Sequence, residues 1–222
     1  MRDFVSKMQY ACPLCLSKQT AFFFQDIKRK YIQCSHCALV FVPSEYHLEA
    51  FEEKAIYDKH QNSPNDQGYR VFLNKLLRPL LDILNSSSFP SDTKGLDFGS
   101  GPGPTLSLML EEHGFDMAIF DLFYANDPDI LTKQYDFITS TEVWEHLKNP
   151  NEVINELFQL GKERFALGIM TKRIPETPFG DWHYIKDPTH ITFFAEQTLK
   201  YIAKKYKCEL HLPESDTAIF LR

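Results

Sequence analysis

The chain contains 222 residues, of which 43% are hydrophobic and 24% are charged, and its formal net charge is −6 at pH 7. This length can bury a core without disulfides, and 9 glycines with 13 prolines exclude a collagen-like or low-complexity chain. The acidic balance argues against non-specific coating of nucleic acid. The sequence contains no run of about 18 apolar residues, so we expect neither a membrane-spanning helix nor a membrane partner.

The first ten residues lack the apolar stretch of a secretory signal, so we expect a cytoplasmic location. In that reducing compartment the five cysteines need a role other than disulfides. Four of them form two C-x2-C pairs that eighteen residues separate: Cys12, Cys15, Cys34 and Cys37. This spacing predicts one tetrahedral four-thiolate zinc site, since each pair supplies two ligands. A redox dithiol is the alternative for a single pair.

Short β-rich runs at residues 21–25, 30–34 and 38–42 surround these cysteines. They predict a small β-rich zinc ribbon over residues 1–42, whose closed metal site folds the module and does no chemistry. The ribbon holds six Lys or Arg residues against two Asp residues, so it carries +4 while the remaining chain carries −10. Its basic triplet at residues 28–30 is a contact for a phosphate-bearing substrate or, as we favour, the solvated tip of a hairpin.

Residues 43–90 predict a helical linker or cap. Apolar side chains recur at helical spacing over residues 45–60 and again over residues 68–84. The polar stretch 85–94 then leads into a second domain, which we assign to residues 91–222.

A glycine-rich turn is the most informative segment of that domain. An apolar strand at residues 95–98 runs into the turn, and a helix is predicted directly after it over residues 105–114. Glycines let a ligand approach the backbone, and a helix offers free N–H groups in its first turn. The turn is not a dinucleotide fingerprint, because Pro104 stands where a third small residue belongs. It is not a P-loop either, because no Lys-Ser or Lys-Thr follows.

The pattern Asp97-x-Gly99-x-Gly101-x-Gly103 resembles motif I of class I S-adenosylmethionine (SAM)-dependent methyltransferases. The next predicted strand ends in Asp121, where an acidic residue of this family accepts hydrogen bonds from the ribose hydroxyls. A carboxylate suits this task because it only accepts hydrogen bonds.

The strand at 135–140 and the segment 141–150 after it resemble a motif of the ubiquinone-methyltransferase-like branch of the same family. The resemblance covers about residues 95–222 and implies an α/β fold with a Rossmann-like SAM-methyltransferase sheet and flanking helices. The residues that it implies at the cofactor are Asp97, Gly99, Ser100, Gly101, Gly103, Asp121, Ser140, Thr141 and Glu142.

One stretch departs from the family pattern. Only thirteen residues separate Asp121 from Tyr135, too few for the helix, the strand and the adenine-binding acid that the family usually places there. We therefore expect Ser140 and Thr141 to line the cofactor pocket in their stead.

Glu142, Glu145 and His146 form an E-x-x-E-H motif. On a helix these side chains share one face, and two carboxylates with an imidazole suit a second, divalent metal ion. The motif resembles the metal-binding E-x-x-E-H of small-RNA 3′-end 2′-O-methyltransferases, in which the ion holds and polarises the acceptor hydroxyl. The alternative, which we favour, is a structural or pocket-lining helix that begins with a capping box at Thr139.

The loop at 171–194 follows the predicted strand 164–170, at the sheet edge where ligands approach an open α/β fold. Its His183 and His190 are candidate bases, and either matches the distant His of the RNA enzymes; a packed cap is the alternative. The catalytic candidates are therefore His190, His183, Glu145 and His146. Three helical side chains are expected to pack within the protein or, alternatively, to close over the cofactor: Tyr57, His60 and Tyr69.

Together the motifs predict SAM-dependent methyl transfer to a small molecule or to RNA, with transfer to oxygen slightly favoured. The resemblance also includes branches that carry zinc ribbons, namely deoxysugar methyltransferases and an rRNA guanine methyltransferase group. The alternative function is an interaction module, in which the zinc ribbon docks a partner and the SAM-binding fold performs no catalysis. The sequence leaves the oligomeric state open.

Overall fold

The structure is a computed structural model that describes residues 10–59, 63–86, 89–90 and 92–222. His60, one of the three helical side chains considered above, lies outside these ranges.

The strands in the described part of the chain are β1 (Thr20–Gln25), β2 (Lys30–Cys34), β3 (Val40–Phe41), β4 (Lys94–Phe98), β5 (Asp116–Phe120), β6 (Tyr135–Thr141), β7 (Gly161–Met170), β8 (Thr192–Phe193), β9 (Glu209–His211) and β10 (Thr217–Leu221). The helices are α1 (Ala50–Tyr57), α2 (Gln67–Leu84), α3 (Thr105–Glu112), α4 (Pro150–Leu160) and α5 (Glu196–Tyr206). Short 3-10 helices connect several of them.

The larger sheet has the strand order β5-β4-β6-β7-β10-β9. Its first four strands run parallel, β10 pairs antiparallel with β7, and β9 pairs antiparallel with β10. Because the chain passes from β5 on one side of β4 to β6 on its other side, the strand order reverses at β4. The carboxyl ends of β4 and β6 therefore border the crevice in which open α/β sheets bind ligands. The expected α/β fold is confirmed.

Helices cover both faces of this sheet. On one face, α2 and α3 pack against residues such as Phe137 and Ile219 of the strands, and the neighbouring strand residues Ile138 and Phe220 point to the opposite core. This alternation is the two-residue period of a strand. The central parallel strands are consequently apolar on both faces, as a doubly covered sheet requires.

The long helix α2 forms where the apolar spacing predicts it. Its buried side chains lie three, four or seven positions apart: Leu73, Leu76, Leu77, Leu80 and Leu84. Asp66 caps the helix, because its carboxylate accepts hydrogen bonds from the backbone N–H groups of Gly68 at 2.8 Å and Tyr69 at 3.1 Å.

The smaller sheet is antiparallel and has the order β1-β2-β3-β8. Three of its strands are the ribbon runs that the sequence predicts. The fourth, β8, comes from the loop after β7, and it pairs Val40 with Phe193 and Phe41 with Thr192. The ribbon therefore shares backbone hydrogen bonds with the segment that follows the larger sheet. The division into domains at residues 42 and 90 remains a prediction.

The core is also continuous between the two sheets. Cys12 and Cys34 belong to the same buried cluster as Ile154 of α4 and Phe194 beside β8. The ribbon thus packs its cysteine-bearing side directly on the α4–α5 face of the larger sheet.

The short stretch after Asp121 contains a turn and a 3-10 helix at Pro128–Thr132, and the chain then enters β6. β5 is consequently an edge strand, and residues 121–134, which the structure describes throughout, form no further strand beyond it. Helix α4, which is not among the elements predicted from the sequence, begins with Pro150 at its first position.

No helix in the described ranges is both long enough and apolar enough to cross a bilayer.

Candidate functional site

The four paired cysteines converge as their spacing predicts. Their sulfur atoms all lie within 4.8 Å of one another. The Sγ atoms of Cys12 and Cys37 are 3.6 Å apart, and those of Cys15 and Cys34 are 3.4 Å apart. Four Zn–S bonds of about 2.3 Å in a tetrahedron place sulfurs about 3.8 Å apart, so the cluster is compatible with zinc. His36 is exposed and rests edge-on against Tyr201, outside this cluster.

The thiols of this cluster differ in acidity. A hydrogen bond from Cys37 lowers the pKa of Cys12 to about 5. Burial raises the pKa of Cys15 to about 12, and the hydrogen bond with Cys12 raises the pKa of Cys37. The thiolate of Cys12 therefore forms readily, whereas a bound cation would favour deprotonation of Cys15 and Cys37.

The glycine turn connects β4 to α3, and two of its glycines adopt positive φ angles. Gly99 has φ +78°, and a Cβ atom at this position would lie 2.3 Å from Cγ2 of Val143. Gly101 has φ +65°, and a Cβ there would meet nothing within 4 Å. The backbone therefore needs glycine at both positions, but only Gly101 borders open space that a ligand can fill.

Asp121 ends β5 beside this turn. Its Oδ2 accepts a hydrogen bond from the N–H of Gly101 at 2.9 Å, and its Oδ1 accepts from Phe123 at 2.8 Å and Tyr124 at 3.0 Å. A carboxylate oxygen can accept about two hydrogen bonds, so Oδ2 retains capacity for a ligand hydroxyl. This is the position and chemistry that the resemblance implies for a ribose contact.

Asp97 lies fully buried at the end of β4. Its Oδ1 accepts a hydrogen bond from the hydroxyl of Thr139 at 2.7 Å. Burial raises the pKa of Asp97 to about 6, and the charge of Asp121 acts in the same direction.

Several buried polar atoms near the carboxyl ends of β4 and β6 have no hydrogen-bond partner among the described residues. They include Ser100 Oγ, Ser140 Oγ and Glu142 Oε1. Buried polar groups are normally paired, so these three atoms and the open space at Gly101 fit a polar cofactor such as SAM. Of the remaining predicted cofactor residues, Gly103 lies in the turn and Thr141 is half-buried at the end of β6.

Helices α1 and α2 bring two tyrosines to this crevice. Burial raises the pKa of Tyr69 to about 12, with contributions from the charges of Asp97 and Glu142. The Tyr69 ring stacks on that of Phe72, with 6.2 Å between centroids, and packs against the core of α2 and α3. The ring of Tyr57 meets the ring of His146 edge to face, with 5.3 Å between centroids.

A second cluster gathers Glu145, His146 and His190, each of which offers a ligand atom within 4.8 Å of the others. Nδ1 of His146 lies 3.1 Å from the carbonyl oxygen of Thr189, and Nδ1 of His190 lies 2.8 Å from that of Tyr184. A carbonyl only accepts, so each Nδ1 carries a proton, and Nε2 is the ring nitrogen left to bind an ion. Metal-binding histidines are typically oriented in this way.

Glu145 of this cluster is held both at its side chain and at its backbone. Glu145 is fully buried and accepts a short hydrogen bond from the Tyr184 hydroxyl, and its carbonyl oxygen accepts from Ile191 N–H at 2.8 Å. Burial raises the pKa of Glu145, and the neighbouring His190 opposes that rise. Two imidazoles and one carboxylate with open positions are a known donor set for divalent metals, so the residues fit such an ion.

The prediction of one helix bearing Glu142, Glu145 and His146 is wrong. Thr139 belongs to β6 and starts no capping box, Glu142 has a left-handed φ of +53°, and the 3-10 helix spans only Trp144–His146. A pleated strand end and a tight turn replace the expected helix, and Glu142 is not among the three residues whose ligand atoms converge. Burial raises the pKa of Glu142 to about 9, and the nearby charge of Glu145 adds to the rise.

The two loop histidines differ in placement. His190 is buried within the cluster, whereas His183 is exposed and its Nε2 lies 3.2 Å from Nζ of Lys172. The sequence offered both as bases or ligands, and only His190 lies with Glu145 and His146.

Arg29 departs from its predicted role as part of a solvated hairpin tip. Its side chain is buried, and its guanidinium donates to backbone carbonyls of the loop that carries His190. Lys28 and Lys30 on either side are exposed as expected. No local pattern in the sequence indicates this contact, because it joins residues about 160 positions apart.

Comparisons with known proteins agree with this architecture. Residues 68–212 match a family described as methyltransferase domain. A comparison with proteins of curated function finds no match.

Among solved structures, the chain resembles magnesium protoporphyrin IX methyltransferase from Synechocystis PCC 6803 with bound SAH, at 14% identity and a TM-score of 0.50. The match covers 78% of this chain and 94% of that one. An O-methyltransferase family protein from Burkholderia thailandensis matches at 13% identity with a TM-score of 0.49, over 80% of this chain. The chain spans 61% of the length of that protein.

At such identities the Synechocystis structure supports the fold alone. The family match covers more than half of the chain and includes the glycine turn, Asp121 and the Glu145–His146 turn. The expectation of a SAM-dependent methyltransferase is thereby confirmed at the level of the family: the chain belongs to the methyltransferase-domain family.

Proposed function

We propose that the protein transfers the methyl group of SAM to a hydroxyl oxygen of a small-molecule acceptor, and that a divalent cation at Glu145, His146 and His190 binds that hydroxyl. The observation that carries the proposal is that both sites lie at the carboxyl end of β6. Ser140 Oγ and Glu142 Oε1 are buried beside the cofactor crevice without a partner among the described residues, and Glu145 follows in the tight turn at Trp144–His146. A cofactor in the crevice and an ion at the cluster would therefore be neighbours.

On the cofactor side, SAM when bound supplies a methyl group that its sulfonium charge activates. Asp121 and the Gly101 backbone would hold the cofactor through hydrogen bonds, and Ser100 and Ser140 offer unpartnered hydroxyls for its polar groups. Tyr69, half-buried on α2, is the side chain that we propose to close the crevice, since exclusion of water would favour alignment of the acceptor with the methyl group.

On the acceptor side, a divalent cation when bound lowers the pKa of a coordinated hydroxyl and so makes it a better nucleophile. The chain's part is to present the Nε2 atoms of His146 and His190 together with the Glu145 carboxylate. Backbone carbonyls fix both rings and the Tyr184 hydroxyl fixes the carboxylate, so the three groups are preorganised. We assign His183 no part in this step, because it lies outside the cluster.

A small molecule is favoured over RNA as the acceptor. Oδ2 of Asp187 lies 3.9 Å from Nε2 of His190 in the ligand cluster, and the charge of this carboxylate would repel a phosphate backbone. We also propose that the four cysteines bind a structural zinc ion and that the protein works in the cytoplasm, where thiols stay reduced. The resemblance of residues 141–150 to the ubiquinone-methyltransferase-like branch supports placement of the chain in that branch.

Calorimetry of the zinc-loaded full chain with SAM and SAH tests the core of the proposal. We expect both to bind. If neither binds measurably, the enzyme assignment fails and the interaction-module alternative stands.

The acceptor is tested with labelled SAM, a panel of hydroxyl-bearing small molecules and RNA oligonucleotides, under titration with Mg²⁺ or Mn²⁺. We expect label to enter a small molecule in a metal-dependent manner. Transfer to RNA alone, or transfer that added divalent ions leave unchanged, would contradict the acceptor and metal assignments respectively.

A further inference from the structure

The guanidinium of Arg29 lies inside a ring of backbone carbonyls from one loop. Nη1 donates to the carbonyl oxygens of Pro188 and His190, both at 3.0 Å. Nη2 donates to Ile185 at 2.5 Å and Asp187 at 3.1 Å. All four N–H bonds of the two terminal nitrogens are therefore used on a single six-residue stretch of the chain.

The hairpin tip is built to aim this side chain inward. Oδ1 of Asp26 accepts hydrogen bonds from the N–H groups of Lys28 and Arg29, both at 2.6 Å, and Oδ2 accepts from the Tyr31 hydroxyl at 2.7 Å. This tight turn leaves Lys28 exposed and Arg29 buried. The contact is thus a feature of the β1–β2 hairpin rather than one rotamer of a surface residue.

No other side chain type satisfies the same four carbonyls. A guanidinium carries its donors in a rigid planar fork, whereas the ammonium of lysine is a compact point charge with three donors. If Arg29 were removed, up to four carbonyl groups would be left without this donor. Leaving buried carbonyl groups without a donor is unfavourable, so we expect the loop to adopt another conformation.

That loop delivers the third member of the ligand cluster. The carbonyl of His190 is bound to Arg29 while its ring Nδ1 is bound to the Tyr184 carbonyl, and the next residue, Ile191, donates its N–H to the Glu145 carbonyl at 2.8 Å. The backbone and the ring of His190 are therefore fixed from opposite sides.

We propose that Arg29 is a positioning residue of the site: the ribbon hairpin folds the loop 185–190 around its guanidinium and thereby places the His190 imidazole beside Glu145 and His146. The role of His190 as a ligand rests on the proposed function. The ribbon is then part of the active-site framework, in addition to any partner or substrate that its outer surface contacts.

The test compares Arg29→Ala with Lys28→Ala, which removes the same charge from the exposed neighbouring position. Mn²⁺ is added to zinc-loaded protein and its binding is followed by electron paramagnetic resonance, since a hard ion prefers the oxygen and nitrogen donors over the four thiolates. We expect Arg29→Ala to weaken Mn²⁺ binding by about 10- to 100-fold, as loss of a group that orients metal ligands does. Lys28→Ala should leave it unchanged.

Guanidinium ion at low millimolar concentration provides a rescue that a general structural defect would not show. It fits the space vacated by the Arg29 side chain and offers the same planar donors, so it should restore most of the lost Mn²⁺ affinity of Arg29→Ala. The ion should not affect the wild type. Weakened binding that guanidinium fails to restore would contradict a positioning role, as would wild-type affinity in Arg29→Ala.

A second readout separates this proposal from the proposed function. Long-range ¹H–¹⁵N NMR correlations report which nitrogen of His190 carries the proton, without any metal or activity. We expect the Nδ1–H form in the wild type, its loss in Arg29→Ala and its return with guanidinium. If the wild type binds no Mn²⁺ and transfers no methyl group, the proposed function fails, yet this spectrum still supports or overturns the role of Arg29.

If Arg29→Ala does not fold, Arg29→Lys takes its place. This variant keeps the charge but reaches at most three of the four carbonyls, so an intermediate loss in both readouts is expected. Wild-type behaviour of Arg29→Lys in both would overturn the proposal.

Discussion

Asp121 accepts a hydrogen bond from the backbone N–H of Gly101, with 2.9 Å between Oδ2 and N. The bond ties the end of β5 to the glycine turn after β4, so two adjacent parallel strands present their carboxyl ends as one surface. The same bond joins Asp121, to which the resemblance assigns the ribose contact, to the Gly101 backbone, which borders the open space.

Replacement of Asp121 by alanine tests this relationship. We expect the affinity for SAM and SAH to fall at least tenfold, because hydrogen bonds to a charged group contribute about 1.5–3 kcal/mol each. Asp116→Ala, at the exposed start of the same strand, is the matched control and should bind normally. Calorimetry with SAH measures both, and equal affinities in the two variants would refute the role of Asp121.

The two glycines of the turn should respond differently to alanine. Gly99→Ala places a methyl group 2.3 Å from Val143 Cγ2 and is expected to lower the stability of the whole domain. Gly101→Ala meets no atom within 4 Å, so its cost to folding is the left-handed backbone alone, about 1–2 kcal/mol. Its methyl group projects into the space assigned to the cofactor, so SAH binding should suffer more than stability. Thermal unfolding with and without SAH distinguishes these outcomes. Normal SAH affinity in Gly101→Ala would show that the cofactor does not occupy the space beside Gly101.

The ligand cluster predicts which substitutions abolish dependence on a divalent ion. Glu145→Gln, His146→Ala and His190→Ala should each eliminate Mn²⁺ stimulation of methyl transfer, because each removes one of three donors. His183→Ala removes an exposed imidazole of the same loop and should retain it. The experiment titrates Mn²⁺ into zinc-loaded protein rather than adding EDTA, which would also strip the four-cysteine site. If Mn²⁺ still stimulates methyl transfer in all three variants, the ion does not bind at Glu145, His146 and His190.

Asp97 predicts a pH dependence of stability in the protein without added cofactor. Its pKa is raised from 3.8 to about 6 in the folded state, so the native state retains a proton that the unfolded state has lost between these values. The free energy of unfolding therefore falls as pH rises through this window, by about 2 kcal/mol between pH 4.5 and 7.5.

Asp97→Asn removes that dependence while its side-chain oxygen can still accept from Thr139. Between pH 4.5 and 7.5 the free energy of unfolding of Asp97→Asn, relative to that of the wild type, should rise by about 2 kcal/mol. Urea unfolding at several pH values measures this difference. Asp116→Asn provides the control at an exposed position and should show no such trend. A constant difference between Asp97→Asn and the wild type would mean that Asp97 is ionised throughout.

Zinc removal should destabilise more than the ribbon. The four cysteines share a buried cluster with Ile154 and Phe194, and β3 pairs with β8, so the ribbon cannot unfold without exposing part of the common core. Cys34→Ser is expected to cost about 3 kcal/mol or more, which lowers the Tm of the whole chain by about 6–12 °C. Cys208→Ser, outside the cluster, should have little effect. One zinc per chain is expected by metal analysis, and two separate unfolding transitions would contradict the shared core.

Local patterns in the sequence were sufficient for much of this architecture. The C-x2-C pairs, the strand–turn–helix around Gly99 and Gly101, and the apolar spacing of α2 each depend on residues close together in the chain. The count of thirteen residues between Asp121 and Tyr135 also anticipated the edge position of β5, because a chain that short has no length for another crossover. The helix expected at Glu142–His146 failed for the opposite reason. Its spacing suits a helix, but β6 continues to Thr141 through pairing with β7, and the strand's hydrogen bonds leave room only for a tight turn.

The sequence by itself therefore determined the class of fold, the family and the four cysteines. Only the tertiary structure decided that His190 rather than His183 joins Glu145 and His146, and that Arg29 leaves the surface to fold the loop behind them. The physical reason is distance along the chain: the hydrogen bond from Arg29 to His190 spans 161 residues. Neither periodicity nor spacing reports on such a contact, which depends on how the two sheets meet through β3 and β8.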